Sequence, residues 1–179
     1  MKSGPTAKRP NRYLGTVKSQ NRWRRRFSEK RKPFRGEEID AMRLEGRVWK
    51  DQGSRYWLAE VPLLDVMTQG TSKNNAYKMI ADAIQSLIEK EGFRVNVRPV
   101  GGRYFTVGAN QETLLIALML KRQREAHRLT LQEVARRLGQ KSANAYARYE
   151  QGKSVPTVEK LNQLMRAIDP GFEPVLRVA

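Results

Sequence analysis

The stretch that most limits what this chain can fold into is "TLQEVARRLGQKSANAYARYEQGKSVPTVEKLNQLMRAI", residues 130 to 168. Thr130 precedes an apolar stripe of Leu131, Val134, Ala135 and Leu138, and Glu133 completes a Thr-x-x-Glu capping box. Gly139 supplies the left-handed position that ends such a helix. Ser142 is placed to cap another helix through about Gln151, and Gly152 stops it. Pro156-Thr157 opens a last helix with Val158, Leu161, Leu164, Met165 and Ile168 inward. Upstream, Gln111 to about Arg128 reads as a helix carrying the apolar run Leu114 to Leu120 and a basic end. Two short helices across a tight glycine turn, flanked by two more, make a helix-turn-helix arrangement.

Within the third of these helices, Tyr146 and Tyr149 share a face and occupy the positions that must pack beneath the second helix. Ser142, Asn144 and Arg148 then look outward, with Lys141 just ahead of them. Asn pairs with adenine and Arg with guanine in the major groove, because each forms two parallel hydrogen bonds to a base edge. Gln132, opening the second helix, and Lys153 are placed to meet phosphates. The competing reading pairs Arg148 internally with Glu150 or Glu133.

Charge agrees with a polyanionic partner. The 179 residues carry 35 Lys and Arg against 18 Asp and Glu, a formal net of +17, and neutralising phosphates releases condensed counterions. The excess is uneven. Residues 1–36 hold thirteen basic residues and one acid, Glu29, whereas 44–91 hold six basic and seven acidic, which sets a near-neutral section inside a basic chain. The first 41 residues show no sustained period of 2 or 3.6, so disorder is expected there. "RWRRRF" at 22–27 could equally grip nucleic acid or stay an inert solvated stretch. With no Cys, disulfides and thiolate zinc sites are excluded. The longest apolar run has seven residues against the ~20 a membrane helix needs, so no membrane partner is expected. The N-terminus lacks the apolar core of a secretory signal, and a cytoplasmic protein is expected.

Residues 42–110 read as a sheet with one helix. "LEGRVWK" and "RYWLAEV" are β-rich and separated by Asp51-Gln52-Gly53-Ser54, a hairpin. Pro62 closes the second strand and "VMTQG" makes a third. Thr71 or Ser72 caps a helix to about Glu91, ended by Gly92, with Ala76, Ile80, Ala83, Ile84, Leu87 and Ile88 on one face. "RVNVRPV" and "RYFTV" follow, joined by Gly101-Gly102. Trp49, Tyr56, Trp57, Tyr104 and Phe105 are read as sheet packing rather than a base-stacking platform. The expected fold class is α+β: a β-β-β-α-β-β sheet domain (42–110) followed by an all-α helix-turn-helix domain (111–179).

Residues 130 to 168 resemble the Xre/Cro-type helix-turn-helix domain. "YWLAEVPLLDVMTQGTSKNNAYKMIADAIQSLI" is similar to the N-terminal domain of HicB antitoxins, whose members typically run Y-x-A-x-x-P into a T-x-G strand and then a helix. The resemblance covers about 42 to 179. It implies a partial ribonuclease-H-like sheet that binds and blocks a small mRNA-cleaving toxin, HicA. It also implies dimers or higher assemblies, and repression of the shared operon through operator DNA. Ten residues lie between Gly139 and Glu150 where many Xre-type domains have nine, so the first base contact is fixed only to within one position. A HicB-like chain would start near Met42, which makes 1–41 either an upstream-extended reading of the gene or a basic arm.

Catalysis is not expected. Two-metal phosphoryl chemistry needs convergent carboxylates, and the sheet section offers Asp51, Glu60 and Asp65, scattered between turns and a strand. The single His127 has no nucleophile or carboxylate at a recognisable spacing, and Gly101-Gly102 fits a hairpin rather than a phosphate loop. No cofactor and no metal site are expected. The alternative function is a stand-alone Xre-type repressor with an N-terminal dimerisation or ligand-sensing domain. Two subunits reading half-sites need an interface, for which the surplus of the Leu114–Leu120 run is the expected source.

Overall fold

The structure, a computed structural model, describes residues 42–174; the basic segment 1–41 lies outside the described residues. Strands β1 (Leu44–Lys50) and β2 (Trp57–Val61) pair antiparallel, Arg47 opposite Glu60 and Lys50 opposite Trp57. A single 3-10 turn, Pro62–Leu64, leads into β3 (Val66–Gly70), antiparallel to β2. Helix α1 (Lys73–Ile88) follows, capped by the Ser72 hydroxyl, which accepts the Asn75 N–H at 3.1 Å. A second hairpin, β4 (Val95–Gly101) and β5 (Tyr104–Ala109), docks on β1 and gives the sheet order β3-β2-β1-β5-β4.

Strand alternation sorts the two faces. Leu44, Val48, Ala59, Val61, Phe105 and Val107 are buried on the inner face, together with Ala76, Tyr77, Ile80 and Ile84 of α1. Tyr77 meets Phe105 edge-to-face, ring centroids 5.3 Å apart. Gly70 permits this packing, since a Cβ there would overlap the backbone of Ala76 at the start of α1. Each fully buried isoleucine, Ile80 and Ile84, contributes about 1.5–3 kcal/mol by leaving water.

Helix α1 departs from expectation in two ways. It ends at Ile88, with Glu89 rather than Gly92 taking the left-handed cap at φ 50°. The early stop swings Phe93 into the core, where it is 2% exposed. Burying that ring offsets the roughly 1–2 kcal/mol cost of a left-handed non-glycine residue. Leu87 is 45% exposed while Tyr77 is buried, so the fully buried part of the stripe ends at Ile84 and Tyr77 widens it near the N-terminal end. The second hairpin also turns one residue later than expected: Gly101 still pairs with Tyr104, across a bulge after Pro99. Gly102 and Arg103 form the loop.

The aromatic residues divide. Phe105 is fully buried, and Trp57 packs against the core from the same side. Trp49, Tyr56 and Tyr104 fall on the opposite face and are half-buried there. Packing between sheet and helix therefore accounts for only part of that set.

The remaining chain is helical: α2 (Glu112–Ala126), α3 (Leu131–Arg137), α4 (Asn144–Glu150) and α5 (Val158–Ile168). Leu115 to Leu120 are all buried because α2 packs both against the 3-10 turn, β5 and α1 and against α4 and α5. The apolar run therefore has no surplus to offer a second copy, and the expected dimer interface on it is corrected. A helix held between two partners is apolar all round, not on one stripe.

Side chains reinforce the join. Arg122 Nε donates to Leu64 O at 3.0 Å and Nη2 to Asp65 O at 2.8 Å, and Gln123 Nε2 donates to Leu63 O at 3.1 Å. One hydrophobic cluster runs from Leu44 to Ile168. The expected boundary at 110/111 falls in the loop between β5 and α2. Among the described residues, no helix is long and apolar enough to cross a membrane.

Candidate nucleic-acid interface

The local signals at 130–168 each form a specific contact. Thr130 Oγ1 accepts the Glu133 N–H at 3.2 Å, and the Glu133 carboxylate accepts the Thr130 N–H at 2.7 Å, closing the capping box. The Thr130 N–H first, and the Thr130 hydroxyl donating to the same carboxylate oxygen at 2.8 Å second, hold the Glu133 carboxyl below its ordinary pKa. Gly139 adopts φ 70°; its N–H donates to Arg136 O and that of Gln140 to Ala135 O, the paired closure of a Schellman turn. Ser142 Oγ accepts the Asn144 N–H at 3.2 Å and so fastens the start of α4. Thr157 Oγ1 caps α5 in the same manner through the Lys160 N–H.

Beneath α4, Tyr146 is fully buried. Burial first, and the neighbouring Glu150 carboxylate second, push its phenol pKa up, so it stays neutral. Tyr149 is only half-buried against the same core, a smaller share than expected. Val158, expected inward, is instead 80% exposed at the first turn of α5. Leu164, Met165 and Ile168, with Ala167, carry that helix's buried side.

Two contacts that local spacing does not reveal fix the orientation of these helices. Arg124 of α2 grips Glu150 at the end of α4 with both prongs, Nε–Oε1 2.7 Å and Nη2–Oε2 2.9 Å. Its Nη1 donates to Leu129 O at 2.9 Å. The Glu150 hydrogen bond raises the Arg124 pKa, so the guanidinium is permanently charged. Arg137 of α3 donates to the Ala167 and Ile168 carbonyls, both at 3.1 Å, satisfying the end of α5. The partners are 26 and about 30 residues apart, beyond any helical period.

Those contacts decide the fate of Arg148. Glu150 is committed to Arg124 and Glu133 to its capping box, so neither neutralises Arg148, which lies exposed with its Nε 3.4 Å from Ser154 Oγ. Asn144 and Arg148, one turn apart on α4, are both exposed. Lys141 and Ser142 precede them on the turn, Gln132 stands in the first turn of α3, and Lys153 follows α4; all four are exposed. Ala143 rather than Ser142 takes the cap position of α4, and Ser142, one residue earlier, accepts the Asn144 N–H. Ser154, which steadies Arg148, and Ala145, exposed between Asn144 and Arg148, were not singled out from the sequence. A cationic and amide-bearing face on a short helix, with Glu133 and Glu150 both engaged elsewhere, suits a base edge and its flanking phosphates.

Comparison with known proteins agrees with this geometry. Residues 120–169 match the helix-turn-helix family model. The match begins at the last residue of the buried apolar run, so the first half of α2 lies outside it. No curated protein and no solved structure matches the chain. Residues 120–169 are thus a helix-turn-helix, a DNA-binding unit of the kind that serves transcription regulation.

Proposed function

We propose that this chain is the antitoxin of a type II toxin–antitoxin pair: it binds and neutralises a HicA-like mRNA-cleaving toxin and represses its own operon. The observation that carries the DNA half is the outward face of α4, with Asn144 and Arg148 one turn apart and neither competing carboxylate available. Gln132, Lys141, Ser142 and Lys153 are assigned to the same DNA contact. The toxin half is supported by the near-neutral balance of 44–91, suited to a basic protein partner, and by its resemblance to HicB sheets. Arg122 and Gln123 tie the 3-10 turn after β2 to the first helix of the DNA-binding unit.

The role is non-catalytic and cytoplasmic, beside the DNA. Two of the carboxylates weighed for catalysis have structural partners: Glu60 holds Arg47 at 2.9 Å, and Asp65 lies 3.8 Å from Arg122. Operator reading uses two copies at half-sites roughly 34–36 Å apart.

The test is co-expression of the full chain with the product of the adjoining gene. The antitoxin reading expects a stable complex without RNA cleavage, retained in Arg148→Ala while operator binding falls. A chain that binds its operator but neither holds nor silences that product is a stand-alone repressor.

A further inference from the structure

The returning strand of each hairpin opens with the same pair of residues: "RYWLAEV" after the first turn and "RYFTV" after the second. Arg55 lies over the Tyr56 ring, 5.2 Å from its centroid, and Arg103 over the Tyr104 ring at 5.5 Å. Register puts these pairs at one end of one face. Arg47 faces Tyr104 across β1–β5, Trp49 faces Leu58 across β1–β2, and the Asp51 N–H bonds Tyr56 O. Alternation then aligns Tyr104, Trp49 and Tyr56 as a diagonal row over β5, β1 and β2, on the side away from α1. Diagonal neighbours on a sheet stand about 7–8 Å apart, within reach of aromatic side chains.

Two features separate this row from ordinary sheet packing. The inner face already takes Phe105 and Trp57 into the core, leaving the row half-exposed. The rim beside the row is also cationic: Arg55 and Arg103 are exposed there, Lys50 and Lys73 lie at the same end of the sheet on its α1 side, and Arg47 holds Glu60. Asp51 is an acid at this end, and Glu45 lies on the row's own face beside Tyr104. Aromatic rings in a row on an antiparallel sheet, with guanidinium planes stacked beside them, are what unpaired bases and their phosphates need.

We propose that this hairpin end of the sheet binds single-stranded nucleic acid, with Trp49 as the central stacking residue and the Arg55–Tyr56 and Arg103–Tyr104 pairs on either side. Duplex DNA is excluded from it because paired bases hide the ring faces that the row would stack on.

Fluorescence anisotropy of the full chain with labelled single-stranded RNA, single-stranded DNA and a duplex of equal length tests this. Raised salt suppresses contacts made through phosphates alone. Trp49→Ala should weaken single-strand binding about ten-fold, while Trp49→Phe keeps most of it. The exposed double variant Arg55→Glu/Arg103→Glu, which leaves the core untouched, should weaken it too. Duplex binding should hold in all three, and the melting temperature should hold in Trp49→Phe and the double arginine variant, while half-buried Trp49→Ala should lose roughly 2–8 °C. Tighter binding of RNA than DNA, the reverse, or parity would each support the platform and name its polymer. Single-strand affinity unchanged by Trp49→Ala and by the double arginine variant would overturn it. So would duplex affinity falling by the same factor, or a protein partner lost from Trp49→Ala while single-strand binding stays intact.

Discussion

Glu150→Gln should be disproportionately damaging for a change of one atom. The Glu150 side chain is 7% exposed and its partner Arg124 14%, and two short charge-assisted bonds join them. The amide keeps the volume and one acceptor but leaves the guanidinium uncompensated. Removing one member of a buried pair costs roughly 3–5 kcal/mol. The residual exposure of Arg124 and its bond to Leu129 O favour the lower end, about 3 kcal/mol. For a chain of this size each kcal/mol moves the melting temperature by roughly 2–4 °C, which gives a loss of about 6–12 °C. The pair also anchors the far end of α4, so duplex affinity should fall even well below the melting point. Arg124→Met/Glu150→Leu should recover much of the stability, since an apolar replacement leaves no buried charge. Calorimetry and denaturant midpoints read both variants. A shift under about 1 kcal/mol, the range of surface pairs, would refute the clamp.

Tyr146→Ala should cost roughly 3–5 kcal/mol by opening a cavity under α4, whereas Tyr149→Ala, half-buried, should cost about 1–2 kcal/mol; equal urea midpoints for the two would contradict the packing. Acid should weaken the α3 cap. Glu133 has a folded pKa held below its ordinary 4.5, so its stabilisation is present above that value and lost as pH falls through the lower folded value. Glu133→Gln should flatten this limb of the stability–pH curve below pH 4.5. Gly70→Ala should destabilise by about 1–3 kcal/mol or more through overlap with Ala76, measured by thermal melt.

What the sequence made legible was whatever is decided locally. Thr130, Glu133, Gly139, Gly152 and Thr157 act within a turn of themselves, so their caps and stops stand where the residue types point. The strand pattern was readable for the same reason, because alternation and the hairpin turns are short-range. The misreadings share a different origin. Leu114 to Leu120 looked like a helix with apolar area to spare, yet the covering element is a sheet end some 50 residues earlier in the chain. Gly92 looked like the stop of α1, but Phe93 needed the core and forced the break at Glu89. Val158 fits the stripe of α5 by period but sits on a first turn with nothing over it. At the DNA face, the outward residues followed from helical spacing once Tyr146 was taken as core. That Arg148 is not neutralised could not be read locally, because it depends on Arg124 claiming Glu150 first.

The central claim is that the outer face of α4 reads duplex DNA by sequence. It is tested most directly by measuring Asn144→Ala, Arg148→Ala and Lys153→Ala against the cognate operator and a random duplex across a salt series. Asn144→Ala and Arg148→Ala should each lose about 1–3 kcal/mol on the operator and little on random DNA. Lys153→Ala should weaken both alike and make the salt dependence shallower by about one unit of slope. Loss of operator and random-duplex binding in the same proportion in all three variants would contradict the account, because the face would then be gripping phosphates without reading bases.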